Sequence, residues 1–361
     1  MAETKRFKIN LGTFDLLKGT AMICVIAGHA LNYYPMEKMH LLMPILAVMR
    51  FLGNGLMPMF FIVTGFGFKV KPASVMLKKT AAELIKPYLI VMCSITVLFP
   101  CVHYLTYRWW PGAFQETIRY TLGFLIGSAK PGKLLFGYSL YECTVVWFLL
   151  SLFTTLNLLN LILQLKKQPV QILLVALCAL AGYFLYKIEF TYYCIPQGLV
   201  ATSFCYTGFL AKKYKVLEKA SDISRYWFLY LVLVAVTVLQ MLFGRFDLAY
   251  GEFKFFFLDL IAADCSGILF LLLGVYASRF NSKGLSTIKK IGIYSYWLMC
   301  IHNIEQTCIP WYKWSEIMAH APYLGFLIEV SVKTLIYVTV CSVLKKIMQR
   351  KYLRERAQHA K

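Results

Sequence analysis

Long apolar stretches, each close to the length of a membrane-spanning helix, recur along the whole chain. A bilayer core is about 30 Å thick, and a helix rising about 1.5 Å per residue crosses it in about 20 residues. The pattern predicts ten spans, at 14–34, 43–68, 85–107, 140–164, 169–187, 191–211, 226–244, 254–278, 291–311 and 323–344. The expected fold is therefore an all-α, polytopic bundle of about ten transmembrane helices, forming a single domain over residues 1–361.

The composition agrees with a membrane protein. Hydrophobic residues make up 59% of the 361 residues and charged residues only 15%, whereas soluble domains carry roughly a quarter charged residues. The mean hydropathy is +0.62. These values exclude a sizeable soluble domain and predict a multi-pass protein in contact with membrane lipids.

The basic residues indicate the orientation. Of the 38 Lys and Arg residues, 26 fall on the side of the N-terminus, nine on the opposite side and three within predicted spans. Basic residues near span ends stay cytoplasmic, so both termini are predicted to be cytoplasmic, with an N-terminal segment 1–13 and a basic tail 346–361. The net charge of +21 is then explained by topology and by attraction to anionic lipid, and no nucleic-acid partner is expected.

Two further features lie outside the apolar spans. Segment 108–139 contains Pro-Gly pairs at 111–112 and 131–132, which are turn signals; the stretch between them is interpreted as interfacial or re-entrant. The 11 cysteines show no metal-ligand spacing, so no metal is expected. Four of them approach the predicted outer face, where spacing alone does not determine a disulfide: Cys101, Cys143, Cys194 and Cys308.

Ionisable residues at membrane depth are costly and are functional candidates by default. They are Asp15, Lys18, His29, Arg50, Asp259, Asp264, Glu305, Glu329 and Lys333. Glu329 and Lys333 are four residues apart on one predicted helix, the spacing of a pair that neutralises itself. Asp259 and Asp264 are five apart, so they point in different directions, and neither receives a role.

The first predicted helix concentrates three of these groups. Lys18 and His29 are eleven residues apart, which is about three turns, so they share a face and are separated by about 16.5 Å along the axis. Asp15 lies one turn before Lys18 and is placed to pair with its ammonium. One interpretation is a tunnel with a cation at its cytoplasmic entrance and a base deeper inside, since histidine has an unperturbed pKa of about 6.5. The alternative is a histidine bonded to a neighbouring helix, with Lys18 extending to the interface.

Four segments, in order, resemble the acyltransferase 3 family of integral-membrane O-acyltransferases, especially its fucose 4-O-acetylase-like branch. They are "FDLLKGTAMICVIAGH" from residue 14, "LMPMFFIVTGF" (56–66), "VWFLLSLF" (146–153) and "SYWLMCIHN" (295–303). The chain departs from the family pattern at four positions. Lys18 stands where the family usually has Arg, and Thr64 where it has Ser. Leu56 stands where many relatives have His, and Glu83 where a basic residue is common.

The resemblance implies an activity and a set of site residues. It implies transfer of an acyl group, most simply acetyl, from cytosolic acetyl-CoA or another acyl-CoA to a hydroxyl of an extracytoplasmic or lipid-linked glycan. His29 would act as general base or transient acyl carrier, with Lys18 steadied by Asp15. Lys18 and Lys86 would bind the CoA phosphates. The acceptor side would be lined by Arg50, His302 and Asn303.

Two other functions remain open from the residues. A secondary transporter would use the buried charges as a proton or substrate path, although the sequence shows no repeated halves. A non-catalytic membrane scaffold would keep the fold after losing the chemistry. Retention of Lys18 and His29 argues against the scaffold.

Overall fold

The protein is a predominantly helical molecule with two short β-hairpins. The computed structural model describes residues 11–35, 37, 40–220, 222–280 and 282–359. Residues 1–10 of the predicted cytoplasmic N-terminus and residues 360–361 of the predicted tail lie outside this part. The helices are α1 Leu11–Leu31, α2 Met43–Phe66, α3 Ala73–Thr80, α4 Lys86–Tyr107, α5 Trp110–Ile126, α6 Trp147–Leu163, α7 Gln168–Lys187, α8 Ile195–Lys213, α9 Val216–Ala220, α10 Ile223–Phe243, α11 Phe256–Ala277, α12 Lys283–Cys308, α13 Trp311–Ile317 and α14 Pro322–His359.

The strands form two antiparallel hairpins, and short helical turns join some of the long helices. Strand β1 (Leu134–Leu135) pairs with β2 (Tyr138–Ser139), and β3 (Phe246–Asp247) pairs with β4 (Glu252–Phe253). A π-helical turn, Ala81–Ile85, connects α3 to α4, and 3-10 turns at Thr144–Val146 and Tyr192–Cys194 lead into α6 and α8.

Eight helical stretches in the described part of the chain are long and apolar enough to cross a membrane. They are Gly12–Leu31, Met43–Phe66, Ala73–Tyr107, Thr144–Leu163, Gln168–Lys187, Ile223–Phe243, Phe256–Ala277 and Pro322–Lys346. A helix satisfies all its interior backbone hydrogen bonds within itself, which is what a hydrocarbon environment requires. The all-α expectation is therefore confirmed, and the protein is an integral, multi-pass membrane protein.

The two remaining predicted spans are also helical. Span 191–211 corresponds to α8 and span 291–311 to α12, which begins eight residues earlier than predicted. Both are less apolar than the eight stretches above, so the count of ten stays a prediction. For α8 the reason is visible: it packs between α6 and α7, and buries Gln197 and Thr202 completely. A helix surrounded by protein does not need an apolar surface.

Segment 108–139 differs in one respect from the expectation. The Pro111-Gly112 pair was predicted to form a turn, and this was wrong: both residues lie in the first turn of α5. Proline is favoured there because the first helical N–H groups have no intrahelical acceptor. The pair Pro131-Gly132 does lie in non-helical backbone, with Gly132 at φ +86°.

By its internal contacts the chain divides into two compact units, which are described separately. The larger unit comprises Arg50–Val275 and Cys300–Ile309, and the smaller unit comprises residues 11–49, Tyr276–Met299 and the chain from Pro310. In the larger unit, α2 and α8 meet at glycines, where a Cβ on Gly65 would lie 1.8 Å from the carbonyl oxygen of Cys205. Small residues allow this close approach of backbones, a common basis of helix association in membranes.

The smaller unit is held together around α1. A Cβ on Gly19 would lie 2.0 Å from the carbonyl oxygen of Ile288, and one on Gly292 would lie 1.7 Å from that of Asp15. The backbones of α1 and α12 are therefore in direct contact. The other end of α1 packs into an apolar core consisting of Ala27, Ala30, Leu31, Tyr34, Leu42 and Phe326.

Candidate active site

The smaller unit contains Asp15, Lys18 and His29 on one uninterrupted helix, α1. The Nζ atom of Lys18 lies 2.8 Å from Oδ1 of Asp15, which confirms the predicted pairing. The side chains remain 31% and 19% exposed, respectively. His29 is half-buried in the last turn of the helix.

The turn that follows His29 is fixed by contacts from α13 and α14. The Ser315 hydroxyl donates a hydrogen bond of 2.5 Å to the carbonyl oxygen of Tyr33. The ammonium of Lys333 lies over the rings of Tyr33 and Trp311, at 5.2 and 4.3 Å from their centroids. These contacts define the position of the chain just beyond His29, so the imidazole is carried on an anchored helix end.

Lys333 also makes the predicted pair with Glu329. Its Nζ lies 2.9 Å from Oε1 of Glu329, and the side chains are 1% and 0% exposed. The predicted ion pair between these two residues is therefore confirmed. The pair is enclosed by protein, which distinguishes it from the accessible pair of Asp15 and Lys18.

In the larger unit, His302 and Asn303 lie next to each other near the end of α12, and both are completely buried. Nδ1 of His302 is 3.0 Å from Oε2 of Glu305, one turn further along. A carboxylate at Nδ1 favours the tautomer with its proton there, which leaves Nε2 as the basic nitrogen. Glu305 was a candidate only for its depth in the membrane, and its role as the partner of His302 is new.

The amide of Asn303 connects α12 to the segment before α6. Its Oδ1 accepts hydrogen bonds from the hydroxyl of Thr144 and, at 3.2 Å, from the backbone N–H of Val146. Thr144 has φ +43°, a conformation that non-glycine residues adopt only when surrounding contacts hold it. No local sequence pattern predicts this contact, because the partners are more than 150 residues apart.

Carboxylates and tyrosines lie close to this segment, outside the eight apolar helical stretches of the structure. The Tyr250 hydroxyl lies 3.3 Å from Oε2 of Glu142, and the Tyr141 hydroxyl donates to Oε2 of Glu116 at 2.5 Å. Burial raises the pKa of Glu142 to about 7; the negative charge of Asp247 acts in the same direction, and the Tyr250 hydrogen bond opposes both. Glu142 is thus a carboxyl group that titrates near neutral pH.

The other two predicted site residues, Arg50 and Lys86, lie at the surface of the larger unit. Both are exposed. Lys86 lies beside the π-helical turn, on an open groove of about 600 Å³ whose lining also includes Ala82, Leu89 and Cys93. The groove is mostly apolar, so Lys86 supplies its charge. The assignments of Lys86 to the donor and of Arg50, His302 and Asn303 to the acceptor stay predictions.

The remaining membrane-depth carboxylates have local hydrogen-bond partners. Asp259 is buried and accepts hydrogen bonds from the backbone N–H groups of Phe255 and Arg245, at 2.6 and 3.3 Å, so it holds the start of α11 to the preceding hairpin. Asp264 accepts a hydrogen bond of 3.0 Å from the Thr207 hydroxyl. Within the described part of the chain, no group of three or more His, Cys, Asp or Glu residues is arranged to hold a metal ion.

Helices apolar enough to cross a membrane, an enclosed ion pair in the smaller unit and a buried histidine in the larger unit define a membrane protein with polar groups inside its helical units. Comparison with protein families identifies the kind of chemistry. The chain belongs to the acyltransferase 3 family, whose model, described as an acyltransferase domain, matches residues 11–345. The protein is therefore a membrane acyltransferase. Comparison with curated proteins and with solved structures gives no match.

Proposed function

We propose that the protein transfers an acyl group, most simply acetyl, from cytosolic acyl-CoA to a hydroxyl of an extracytoplasmic or lipid-linked glycan. Family membership supports acyl transfer. The observation that carries the finer proposal is α1, a single helix with an accessible ammonium–carboxylate pair near its start and a half-buried imidazole in its last turn. The resemblance to the fucose 4-O-acetylase-like branch motivates the choice of a sugar hydroxyl as acceptor.

The proposed roles follow from the chemistry of the groups. CoA carries several phosphate charges, which an exposed ammonium attracts as a point charge; Lys18 and Lys86 are the groups assigned to it. A hydroxyl attacks a thioester more readily when a base removes its proton, and a positioned histidine contributes typically 10²–10⁴-fold in rate. His29 is proposed as that base.

The test is acyl-CoA turnover by the purified protein. Free CoA is quantified by chromatography, because the protein's own cysteines would react with a thiol dye. We expect His29→Ala to lower CoA release at least about 100-fold while the protein stays folded by size-exclusion chromatography. The matched control is His103→Ala, which removes a half-buried histidine of α4 that packs between Phe99 and Tyr107; it should retain the wild-type rate within about a factor of two. Wild-type turnover in folded His29→Ala would contradict the assignment of His29.

Variants of Lys18 separate donor binding from chemistry. Lys18→Arg keeps the charge and Lys18→Met removes it, so we expect the KM for acyl-CoA to rise in the second variant and to stay close to wild type in the first. The acceptor is tested by mass spectrometry of cell-surface glycans from cells with and without the gene, which should differ by one acetyl group. Substrate counterflow in proteoliposomes without acyl-CoA turnover would instead support a transporter.

A further inference from the structure

Two cysteines of the larger unit meet at the predicted outer ends of their helices. Cys143 precedes the turn that leads into α6, and Cys194 directly precedes α8. Both are free thiols in this structure and both are completely buried, and each thiol lies within the electrostatic environment of the other. The sequence places them 51 positions apart, so only the fold brings them together.

Both cysteines are held at the same corner of the chain, the end of α5. The backbone N–H of Cys143 donates to the carbonyl oxygen of Ser128 at 2.9 Å. The thiol of Cys194 donates to the carbonyl oxygen of the adjacent residue, Gly127, at 3.1 Å. Because these two acceptors are consecutive residues, the two contacts bring the cysteines to the same place in the fold; the first, a backbone hydrogen bond, would remain after the thiols are oxidised, whereas the second is a property of the free thiol.

The backbone around both cysteines is in the left-handed region. Thr144 has φ +43°, Tyr193 φ +52° and Cys194 φ +49°. Such conformations cost non-glycine residues of the order of 1–2 kcal/mol each and persist where the surrounding structure determines them. A covalent cross-link between Cys143 and Cys194 would supply such a constraint.

We propose that Cys143 and Cys194 form a disulfide bond on the extracytoplasmic side. The predicted orientation places the start of α6 and the end of α7 outside, and disulfides persist in oxidising compartments. Bond formation requires Cα atoms no more than about 7 Å apart, and the attachment of both cysteines to the consecutive residues Gly127 and Ser128 favours such proximity. The oxidant is a disulfide-donating protein: its disulfide accepts two electrons and two protons from the two thiols and leaves as a dithiol, through a mixed disulfide. Because both thiols are buried after folding, this exchange takes place during folding.

The cross-link would also support the candidate site. Cys143 immediately precedes Thr144, and the segment Thr144–Val146 supplies both hydrogen bonds to Oδ1 of Asn303. Fixing Cys143 to the start of α8 therefore fixes the donors that orient the Asn303 amide. This role does not depend on the identity of the acyl donor or acceptor.

The direct test is peptide mapping of protein whose thiols are trapped in the cell. Cells are denatured with detergent in the presence of N-ethylmaleimide before lysis, and the protein is digested without reduction. We expect a peptide pair joined through Cys143 and Cys194 that separates on reduction, whereas Cys93 and Cys101, both exposed, carry maleimide without reduction. Maleimide on both Cys143 and Cys194 before reduction would overturn the proposal, and so would a cross-link from either one to a different cysteine.

A thermal measurement provides a second readout. Reduction under mild denaturation, followed by alkylation, should lower the thermal midpoint of the wild-type protein by several degrees. The same treatment should leave the midpoint of a Cys143→Ala/Cys194→Ala variant unchanged. A matched control is Cys205→Ala, which removes a buried thiol of α8 that donates to Phe61; it should keep both the cross-linked peptide and the sensitivity to reduction. Equal sensitivity of the double variant would overturn the proposal.

Discussion

The enclosed pair of Glu329 and Lys333 gives the sharpest energetic prediction, because its two charges are almost completely removed from solvent. The side chains are 0% and 1% exposed, and the atoms Oε1 and Nζ are 2.9 Å apart. Removing one partner leaves the other as a buried, uncompensated charge, which costs about 3–5 kcal/mol. Every 1.4 kcal/mol is a factor of ten, so Lys333→Met or Glu329→Gln should raise the unfolding equilibrium constant by roughly 10²- to 10³-fold or more.

The double variant distinguishes the free energy of the ion pair from the separate contributions of its two residues. Glu329→Gln/Lys333→Met removes both charges, so the penalty for an orphaned charge disappears and replacement of a buried pair is often close to neutral. Part of the contribution of Lys333 comes from its position over Trp311 and Tyr33, and such cation–π contacts are worth about 0.5–2 kcal/mol. The double variant should therefore lose about 1–2 kcal/mol, far less than the sum of the single losses.

The assay is equilibrium unfolding in mixed micelles with increasing mole fraction of denaturing detergent, followed by tryptophan fluorescence. A matched control exists in the same chain. Lys79 and Glu83 are also a lysine and a glutamate four residues apart, at 3.6 Å, but their side chains are 44% and 60% exposed. Exposed pairs contribute about 0–1 kcal/mol, so the same set of variants there should show little loss. Additive losses at Glu329 and Lys333, with a coupling energy below about 0.5 kcal/mol, would refute the reasoning.

Two further predictions concern stability. Gly19→Ala should lower the thermal midpoint by several degrees, because the new Cβ would lie 2.0 Å from the carbonyl oxygen of Ile288. In the control Gly28→Ala, on the same helix, the new Cβ meets nothing within 4 Å, so this variant should be neutral or stabilising. Equal effects of the two substitutions on the midpoint would exclude the backbone contact at Gly19. Glu142 has a pKa raised to about 7 in the folded protein, so its contribution to stability is present below the unfolded-state pKa and is lost as the pH rises through 7. The thermal midpoint of wild type, measured relative to that of Glu142→Gln, should therefore decrease as the pH is raised from 5 to 8.5. The exposed control Glu189→Gln should show the same pH dependence of its midpoint as wild type. The same pH dependence in Glu142→Gln would contradict the raised pKa of Glu142.

Most of the membrane-spanning architecture could be predicted from the sequence, because a lipid-facing helix must be apolar along its whole length. Hydropathy discriminates less well for helices buried among other helices. In α8, Gln197 and Thr202 are completely buried, and Gln197 donates to the carbonyl oxygen of Ala249 at 2.8 Å. The environment of this helix is determined by its neighbours, and no local pattern contains that information.

The same distinction applies to the candidate site. Pairs within one or two helical turns, such as Asp15 with Lys18 and Glu329 with Lys333, follow from 3.6 residues per turn and were predicted correctly. The contacts of Asn303 with Thr144 and Val146 could not be predicted, since they require the end of α12 to lie beside the start of α6. The meeting of Cys143 and Cys194 has the same origin.

The two intramembrane ion pairs show how exposure separates a structural charge from a functional candidate. Both consist of a lysine and a carboxylate within hydrogen-bond distance on one helix. The pair of Glu329 and Lys333 is closed to solvent and surrounded by aromatic rings, so binding an external anion would require breaking it inside the protein. Lys18 keeps 31% of its side chain exposed, so the proposed contact with a CoA phosphate would not require breaking the pair with Asp15. We therefore expect loss of Lys333 to appear as loss of folded protein, and loss of Lys18 as a change in KM for acyl-CoA at unchanged stability.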